Sequence, residues 1–498
     1  MADVVRAQAT PDAAVVADGL APEEATVPTD APTSHARIRR PSVPWLLGAL
    51  VASVYTTLAV VRYRQFPATS FDLGIHTQVA GHYSRLEAPI TDLEGPGTNY
   101  MGDHFSPILA LLAVPYRMFP SSLTLLVVQA LLLGLSVVPI ARLALSRFGT
   151  VAGVAVAMSY GLSWGLQSAA IFDFHEIAFA VPFLAFSLEA VVNKQWKLSV
   201  AYALPLLLVK EDLGLTVAAL GVLLAYRGQR KLGAATVIIG LLGTAFALKV
   251  AIPAFNSQDQ YAYRGRLNVG SADGVFGTLT QVLTQPWMLL TPGTKLFTLL
   301  FLFGITAGVA LRSAVTIMLL PTLLWRFVSD NPNYWGTAFH YSAVLMPMLF
   351  VAFIEGAVRL SASRWDLVRR YGTASVPIVA TIAVLLLGQF PLKTLSQPES
   401  YRQSSRVKAA IAAMNLIPRG ASVESDLGLL SRLASRGDVY LIGKAPGITP
   451  SYFVVDSSTG WNPPAPEQLP AYAAAWHPGT AYRVIFTQQG ITVLQLQQ

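Results

Sequence analysis

The chain contains no cysteine. That excludes disulfides, thiolate metal sites and a cysteine nucleophile, so any exported part has to stand without covalent staples. Charge is scarce as well: 12% of the 498 residues are Asp, Glu, Lys or Arg, against 53% hydrophobic, and mean hydropathy is +0.50. A soluble domain carries about 25% charged residues because its surface has to be wetted. So few charges place most of the surface in hydrocarbon. No Gly-rich phosphate loop, His-Glu-x-x-His helix or Gly-x-Ser-x-Gly elbow occurs, which removes three common routes to phosphate, metallopeptidase and serine-hydrolase chemistry. Internal repeats are also missing, so a transporter built from inverted repeats gains no support.

What is present is an excess of Lys and Arg, giving a net charge of +8. In a soluble protein this would raise nucleic acid as a partner. Here the basic residues sit in short loops between apolar runs, where they orient helices in a membrane, and nucleic acid is not an expected partner.

Residues 1–40 read as a disordered cytoplasmic tail, rich in Ala, Pro, Asp, Glu and Thr and without an apolar run over 1–36. They lack the pattern of a signal peptide, so the first span is expected to act as its own insertion signal. Residues 41–393 form the expected transmembrane domain, with about eleven apolar runs from Trp45–Val61 to Val376–Phe390 set against the 20 residues a span needs. The runs Leu198–Val209 and Leu213–Tyr226 are short and are divided by Lys210-Glu211-Asp212. A large first external loop, 62–122, includes the apolar stretch Pro107–Tyr116, re-entrant or interfacial in this reading. With Arg37, Arg39 and Arg40 in the cytoplasm, every alternate loop is basic, for example Arg142 and Arg147, or Arg227, Arg230 and Lys231.

Residues 394–498 change character. Short β-type runs at Ala421–Glu424, Val439–Ile442, Phe453–Val455, Arg483–Thr487 and Thr492–Leu496 predict a small α/β domain, with a terminal hairpin at Gln488-Gln489-Gly490 and Asp426 as a helix N-cap. An odd number of spans puts this domain outside the cell. The expected fold is therefore an all-α polytopic transmembrane bundle in the plasma membrane, followed by a small C-terminal extracytoplasmic α/β domain.

Ionisable residues at a membrane edge are costly and are functional candidates by default. On the outward side they fall into five clusters. Asp72, in Phe71–Gln78, either caps a helix or faces a site; spacing alone does not separate the two, and Gln78 would share the inward face. Asp103 and His104 suit a divalent ion or a proton relay, or Asp103 simply caps. The Phe172–Glu176 run reads by itself as an interfacial cap with an aromatic belt. Lys210-Glu211-Asp212 is the most informative, because three adjacent charges between half-length helices call for a buried polar cavity. There Lys210 is suited to a phosphate, and Glu211 or Asp212 to holding it or a metal. His340, in Ala338–Ser342, either lines the same cavity or is structural. The loop Tyr261–Arg266 adds Arg264 and Arg266, which suit phosphate, sugar or anionic lipid.

These clusters, in this order, resemble the membrane-protein family of domain of unknown function 2079 (DUF2079). The resemblance runs from about Phe71 to the C-terminus and rests on FDLGIHTQ (71–78), GDHFSPILALLAVPY (102–116), FDFHE (172–176), LLVKEDLGL (207–215), YAYRGRL (261–267) and FHYSA (339–343). His76 stands where the pattern has an aromatic residue, and Glu176 where Pro is common, so no family role is carried onto either. The family groups with the glycosyltransferase C (GT-C) superfamily, whose members use polyprenyl-phosphate-linked sugars on the outer face. The superfamily places an acidic residue near the end of the first span, and Asp72 matches that placement.

The resemblance implies a GT-C-like, inverting glycosyltransferase. Asp72 would be the general base, Lys210, His340 and Arg264 would bind phosphate, and Gln78 and His175 would shape the substrate pocket. Asp103, His104, Glu211 and Asp212 would orient substrate or hold an optional Mg or Mn ion; no other cofactor is implied. Membrane lipid and a polyprenyl-phosphate-linked sugar are the expected partners. A transporter or flippase for a lipid-linked or anionic solute competes with this reading, as does a non-catalytic scaffold.

Overall fold

A computed structural model describes residues 42–66, 71–256, 280–459 and 462–497. The expected tail and Arg264 lie outside them. Four helical stretches are long and apolar enough to cross a membrane: Ser42–Arg64 (α1), Ser122–Ile171, Arg230–Phe255 and Asp366–Leu387. Of the about eleven expected spans, two of them short, four are thus met by length among the described residues. Other apolar runs form shorter helices, including Ile177–Val192, Trp196–Leu208, Leu213–Tyr226, Gly293–Gly304 and Ala314–Val328. Proline explains part of the shortening, since it lacks an N–H and its ring strikes the preceding turn. Near Pro205 the α-helix tightens into a 3-10 turn, Leu204–Leu208, and Pro321 marks the change from 3-10 to α at Leu320.

The Ser122–Ile171 stretch is not a single rod. Gly149 has φ 78° and ψ −172°, open to glycine without strain, and breaks the helix there. A Cβ on Gly153 would lie 2.6 Å from Leu145 Cα, so the two limbs run back along each other. Close helix approach recurs between Leu213–Tyr226 and Arg230–Phe246, where a Cβ on Gly214 would meet the Gly240 carbonyl at 2.5 Å. Such small-residue contacts let backbones pack where no water drives helices together. Leu46, Leu50, Leu241, Leu242, Leu300 and Val384 stand exposed on helix faces, an apolar surface that suits lipid.

Beyond α1 the chain forms α2 (Phe71–Ser84), whose residues Leu73–Gly81 are all buried. It is therefore not an amphipathic helix with one face on a membrane. The other side is covered by the C-terminal domain: a Cβ on Gly74 would strike Leu430, and Gln78 Nε2 donates to the Val439 carbonyl at 2.8 Å.

The C-terminal domain holds strands β1 (Val423–Ser425), β2 (Val439–Leu441), β3 (Tyr452–Asp456), β4 (Tyr482–Gln488) and β5 (Ile491–Leu496) in the order β2-β1-β3-β5-β4. β1 pairs in parallel with β2 and β3, while β5 runs antiparallel to β3 and β4. The terminal hairpin turns on Gln489 and Gly490, at φ 52° and 79°, the positive pair of a type I′ turn. Asp426 does not cap a helix: its carboxylate accepts the N–H groups of Gly428 and Asp456, and the next helix starts at Leu430. The domain is tied down by Arg406 Nη1 on the Phe66 carbonyl (2.8 Å), Gln65 Nε2 on the Ser400 carbonyl (2.6 Å) and Ser122 Oγ on the Ser431 carbonyl.

Candidate active site

Helix ends carry the polar residues. Asp72 lies in the first turn of α2, His175 and Glu176 immediately precede the Ile177–Val192 helix, Lys210–Asp212 precede Leu213–Tyr226, and His340 precedes Leu345–Ser361. Such termini leave backbone groups unpaired and bring polar side chains to one level. The structure joins them directly. His175 Nε2 lies 3.3 Å from Asp72 Oδ2, and its Nδ1 donates to the Asp173 carbonyl at 3.0 Å. With Nδ1 carrying a hydrogen, Nε2 faces the carboxylate favourably only if the ring is protonated. Burial disfavours that charge, but the hydrogen bond and charge of Asp72 outweigh it and raise the His175 pKa. For Asp72 the same balance runs the other way: burial pushes the carboxyl up, and His175 more than offsets it, holding Asp72 below its ordinary value. The Asp72 side chain remains 37% exposed while His175 is 8% exposed, so the carboxylate is the open end of the pair.

His340 stacks on His175 with ring centroids 3.7 Å apart. Burial, and then the neighbouring positive charges of His175 and Lys210, depress its pKa and keep it neutral. Its Nδ1 is buried with no hydrogen-bond partner among the described residues. The turn that carries it is fixed by Arg326, fully buried, which donates to the carbonyls of Tyr334 and Gly336 at 2.7 and 2.8 Å.

Lys210 Nζ donates to Glu176 Oε1 at 2.6 Å, and Glu176 Oε2 lies 3.3 Å from His76 Nε2. Glu176 therefore does not act as a plain interfacial cap. Lys210 keeps 20% of its side chain exposed, and an ammonium group has three hydrogens, so donors remain for an anion. Glu211 Oε1 pairs with His104 Nδ1 at 2.9 Å; burial raises its carboxyl, but His104 and Lys210 bring it down to about 2. Asp212 is pushed up to about 6 by burial and by Glu211. Asp103 is not a helix cap for the following segment, whose N-cap is Ser106; its carboxylate lies 3.5 Å from His104 Nε2.

The optional metal set does not fit. His104 has Glu211 on one nitrogen and Asp103 near the other, and no group of three or more His, Asp or Glu among the described residues is placed to hold an ion. Gln78 is turned away from the cluster: its carbonyl oxygen accepts from Thr91 Oγ1 and the Asp92 N–H, both at 3.0 Å, and its amide binds β2. It positions α2.

Sequence reasoning passed over several members. Glu94 sits in a Gly- and Pro-rich turn with no signal, yet burial and Asp103 push its carboxyl up to about 7. Asp173 accepts the Leu73 N–H at 3.3 Å and is likewise pushed up to about 7, by burial and by Asp72. Tyr100 Oη lies 3.2 Å from His76 Nε2.

The family model described as "Predicted membrane protein (DUF2079)" matches residues 62–461. Among solved structures, ArnT from Cupriavidus metallidurans bound to undecaprenyl phosphate aligns with a TM-score of 0.51 and 13% identity, over 90% of this chain and 97% of that one. ArnT in the apo state gives a TM-score of 0.49 at 13% identity, over the same shares of the two chains. The oligosaccharyltransferase of Archaeoglobus fulgidus, in complex with Zn and sulfate, gives 0.45 at 13% identity, over 90% and 72% of the two chains. No curated protein matches the chain. The alignment with bound ArnT shows a shared fold.

Proposed function

We propose, from the premise that the chain belongs to the DUF2079 family of predicted membrane proteins, that it transfers a sugar from a polyprenyl-phosphate donor to an extracytoplasmic acceptor. The observation that carries this reading is the half-open Asp72 carboxylate held against buried His175, with His340 stacked on that ring and Lys210 near enough to His340 to depress its pKa. The fold shared with ArnT, whose structure holds undecaprenyl phosphate, supports a polyprenyl-phosphate donor. The basic loops at the other helix ends support an outward-facing site, with the short apolar helices completing the remaining crossings.

In this mechanism the acceptor hydroxyl attacks the anomeric carbon from the face opposite the phosphate. The new carbon–oxygen bond forms as the bond to the phosphate oxygen breaks, so configuration inverts and the phosphate keeps the electron pair. The hydroxyl proton passes to Asp72. A carboxylate with a lowered pKa is a weak base towards an alcohol, so transfer comes late, when bonding to the electron-poor sugar carbon has acidified the hydroxyl. His175 keeps Asp72 ionised and aimed until that point. Lys210, with hydrogens to spare, and neutral His340 meet the charge that grows on the leaving phosphate. Arg264 belongs to the same proposal, on its sequence alone. No step is routed through a metal.

The test is transfer of radiolabelled sugar from polyprenyl-phosphate donors by the purified full chain in lipid nanodiscs. Asp72→Asn should lower the rate by about 100- to 10,000-fold, the usual worth of a positioned base, without loss of folded protein. Equal rates for both proteins would remove Asp72 from the mechanism. No transfer by the wild type from any donor would sink the enzyme reading.

A further inference from the structure

A second basic site lies where α1 meets the C-terminal domain. A cavity of about 30 Å³ is lined there by Arg62 and Tyr63 of α1, Phe66, Asp173, and Ser431 and Arg432. The Arg432 guanidinium sits over the rings of Tyr63 and Phe66, 3.8 and 3.4 Å from their centroids. Stacking occupies its faces and leaves its edge free to donate. Arg432 Nη2 is buried and has no hydrogen-bond partner among the described residues. Arg62 forms no ion pair among the described residues either, with Asp173 as the charge it feels. Asp173, pushed up to about 7 by burial and Asp72, is a weak counter-charge near neutrality. Two arginines therefore face one partly protonated carboxyl.

Topology favours a ligand at this place. β1 is flanked by parallel strands on both sides, β2 and β3, so the chain leaves its carboxyl end at a switch point of the sheet, where open α/β sheets bind ligands. The acidic groups at that edge are already used. Asp426 accepts two backbone N–H groups, and Asp456 pairs with Arg406. Arg432, on the segment after β1, is left with a donor that has no acceptor among the described residues.

We propose that Arg62 and Arg432 form an anion site for a phosphate group, separate from the Lys210 and His340 donors. A guanidinium fork matches phosphate oxygens in pairs, and Arg62 in the last turn of α1 stands at headgroup level. The site adjoins Asp72 through Leu73, whose N–H is held by Asp173. It rests on the proposed function only for what the phosphate belongs to: the polyprenyl-phosphate headgroup, or an acceptor that itself carries phosphate.

The experiment measures binding by the full chain in nanodiscs, in one arm with inorganic phosphate and in the other with polyprenyl phosphate in the bilayer. Arg432→Met and Arg62→Met, on separate elements, should each weaken binding by about tenfold in at least one arm, as expected for loss of a charge-assisted hydrogen bond. Arg432→Lys should fall between, keeping the charge and losing the fork. Loss in the polyprenyl-phosphate arm assigns the site to the lipid headgroup. Loss in the inorganic-phosphate arm alone assigns it to an acceptor phosphate. Unchanged affinity for both variants in both arms, or no binding by the wild type in either, overturns the site. The binding arms need neither a donor sugar nor a transfer step, so a failed transfer assay and a failed binding assay remain distinct.

Discussion

The two ends of the same helices treat their charges differently. The Ile177–Val192 helix has Glu176 before its start and Glu189 near its end, and the Leu213–Tyr226 helix runs from Asp212 to Arg227. At the far ends carboxylates meet arginine. Arg142 grips Glu189 with two bonds of 2.7 and 2.5 Å. Glu355 takes Arg227 on both oxygens, at 2.8 and 2.6 Å, with Ser313 added at 2.6 Å. At the near ends the partners are histidines and one lysine; a buried atom without a partner among the described residues occurs at either end, His340 Nδ1 and Asp212 Oδ1 here and Arg227 Nε there. An arginine fork holds one protonation state, whereas histidine and lysine pairs can share or pass a proton. One end fastens the bundle and the other is kept reactive.

The largest expected effect tests the fastening. Glu355→Ala strands Arg227 in a site where it is 20% exposed and removes the acceptor of Ser313. Breaking a buried pair by deleting one partner costs about 3–5 kcal/mol, and partial exposure brings this to about 2–4 kcal/mol. Denaturant unfolding in detergent should show the loss, with transfer per folded molecule unchanged. A stable variant that has lost transfer would reverse the roles assigned to the two ends.

Much of that contrast was not legible in the sequence. Apolar runs and basic loops marked where helices lie, and alternation marked the five strands, because both follow from periodicity along the chain. Lys210 and His175 were visible as charges where charges are expensive. Their partners were not. Glu176 meets Lys210 across 34 positions, and Gln78 meets β2 across 361, with no local pattern to announce either. Glu94 in a turn and Arg326 near a helix end carry no local pattern to mark them; burial raises the carboxyl of one, and the other is fully buried. Several expected caps failed for one reason: a carboxylate beside a helix start caps it only when no stronger partner is near. Glu176 has a lysine, and Asp426 has the N–H of Asp456 on another strand and that of Gly428.

A smaller effect separates packing from chemistry inside the reactive end. His340→Phe keeps a ring to stack on His175 and removes a buried nitrogen that has no partner among the described residues. Stability should hold or rise by up to about 1 kcal/mol, because an unsatisfied polar atom is gone. Transfer should fall by about tenfold if the neutral ring donates to the leaving phosphate. Thermal unfolding read beside single-turnover rates checks both. A stabilised variant with full activity would make His340 a wall of the pocket.

The smallest expected effect concerns pH. Asp173 is pushed up to about 7 from an ordinary 3.8, chiefly by burial. A carboxyl whose folded pKa is raised stabilises the fold fully below its unfolded pKa, and that stability is lost as pH rises through the folded value. The window is therefore about pH 4 to 7, and the unfolding midpoint should decline across it. Asp173→Asn stays neutral throughout and should flatten the decline by an amount on the order of 1 kcal/mol, after allowance for solvent screening. Glu94, also near 7 and raised by burial and Asp103, should supply a similar slope that Glu94→Gln removes. A decline left intact by both substitutions would place the titrating groups elsewhere and weaken the view that this end alone is poised near neutrality.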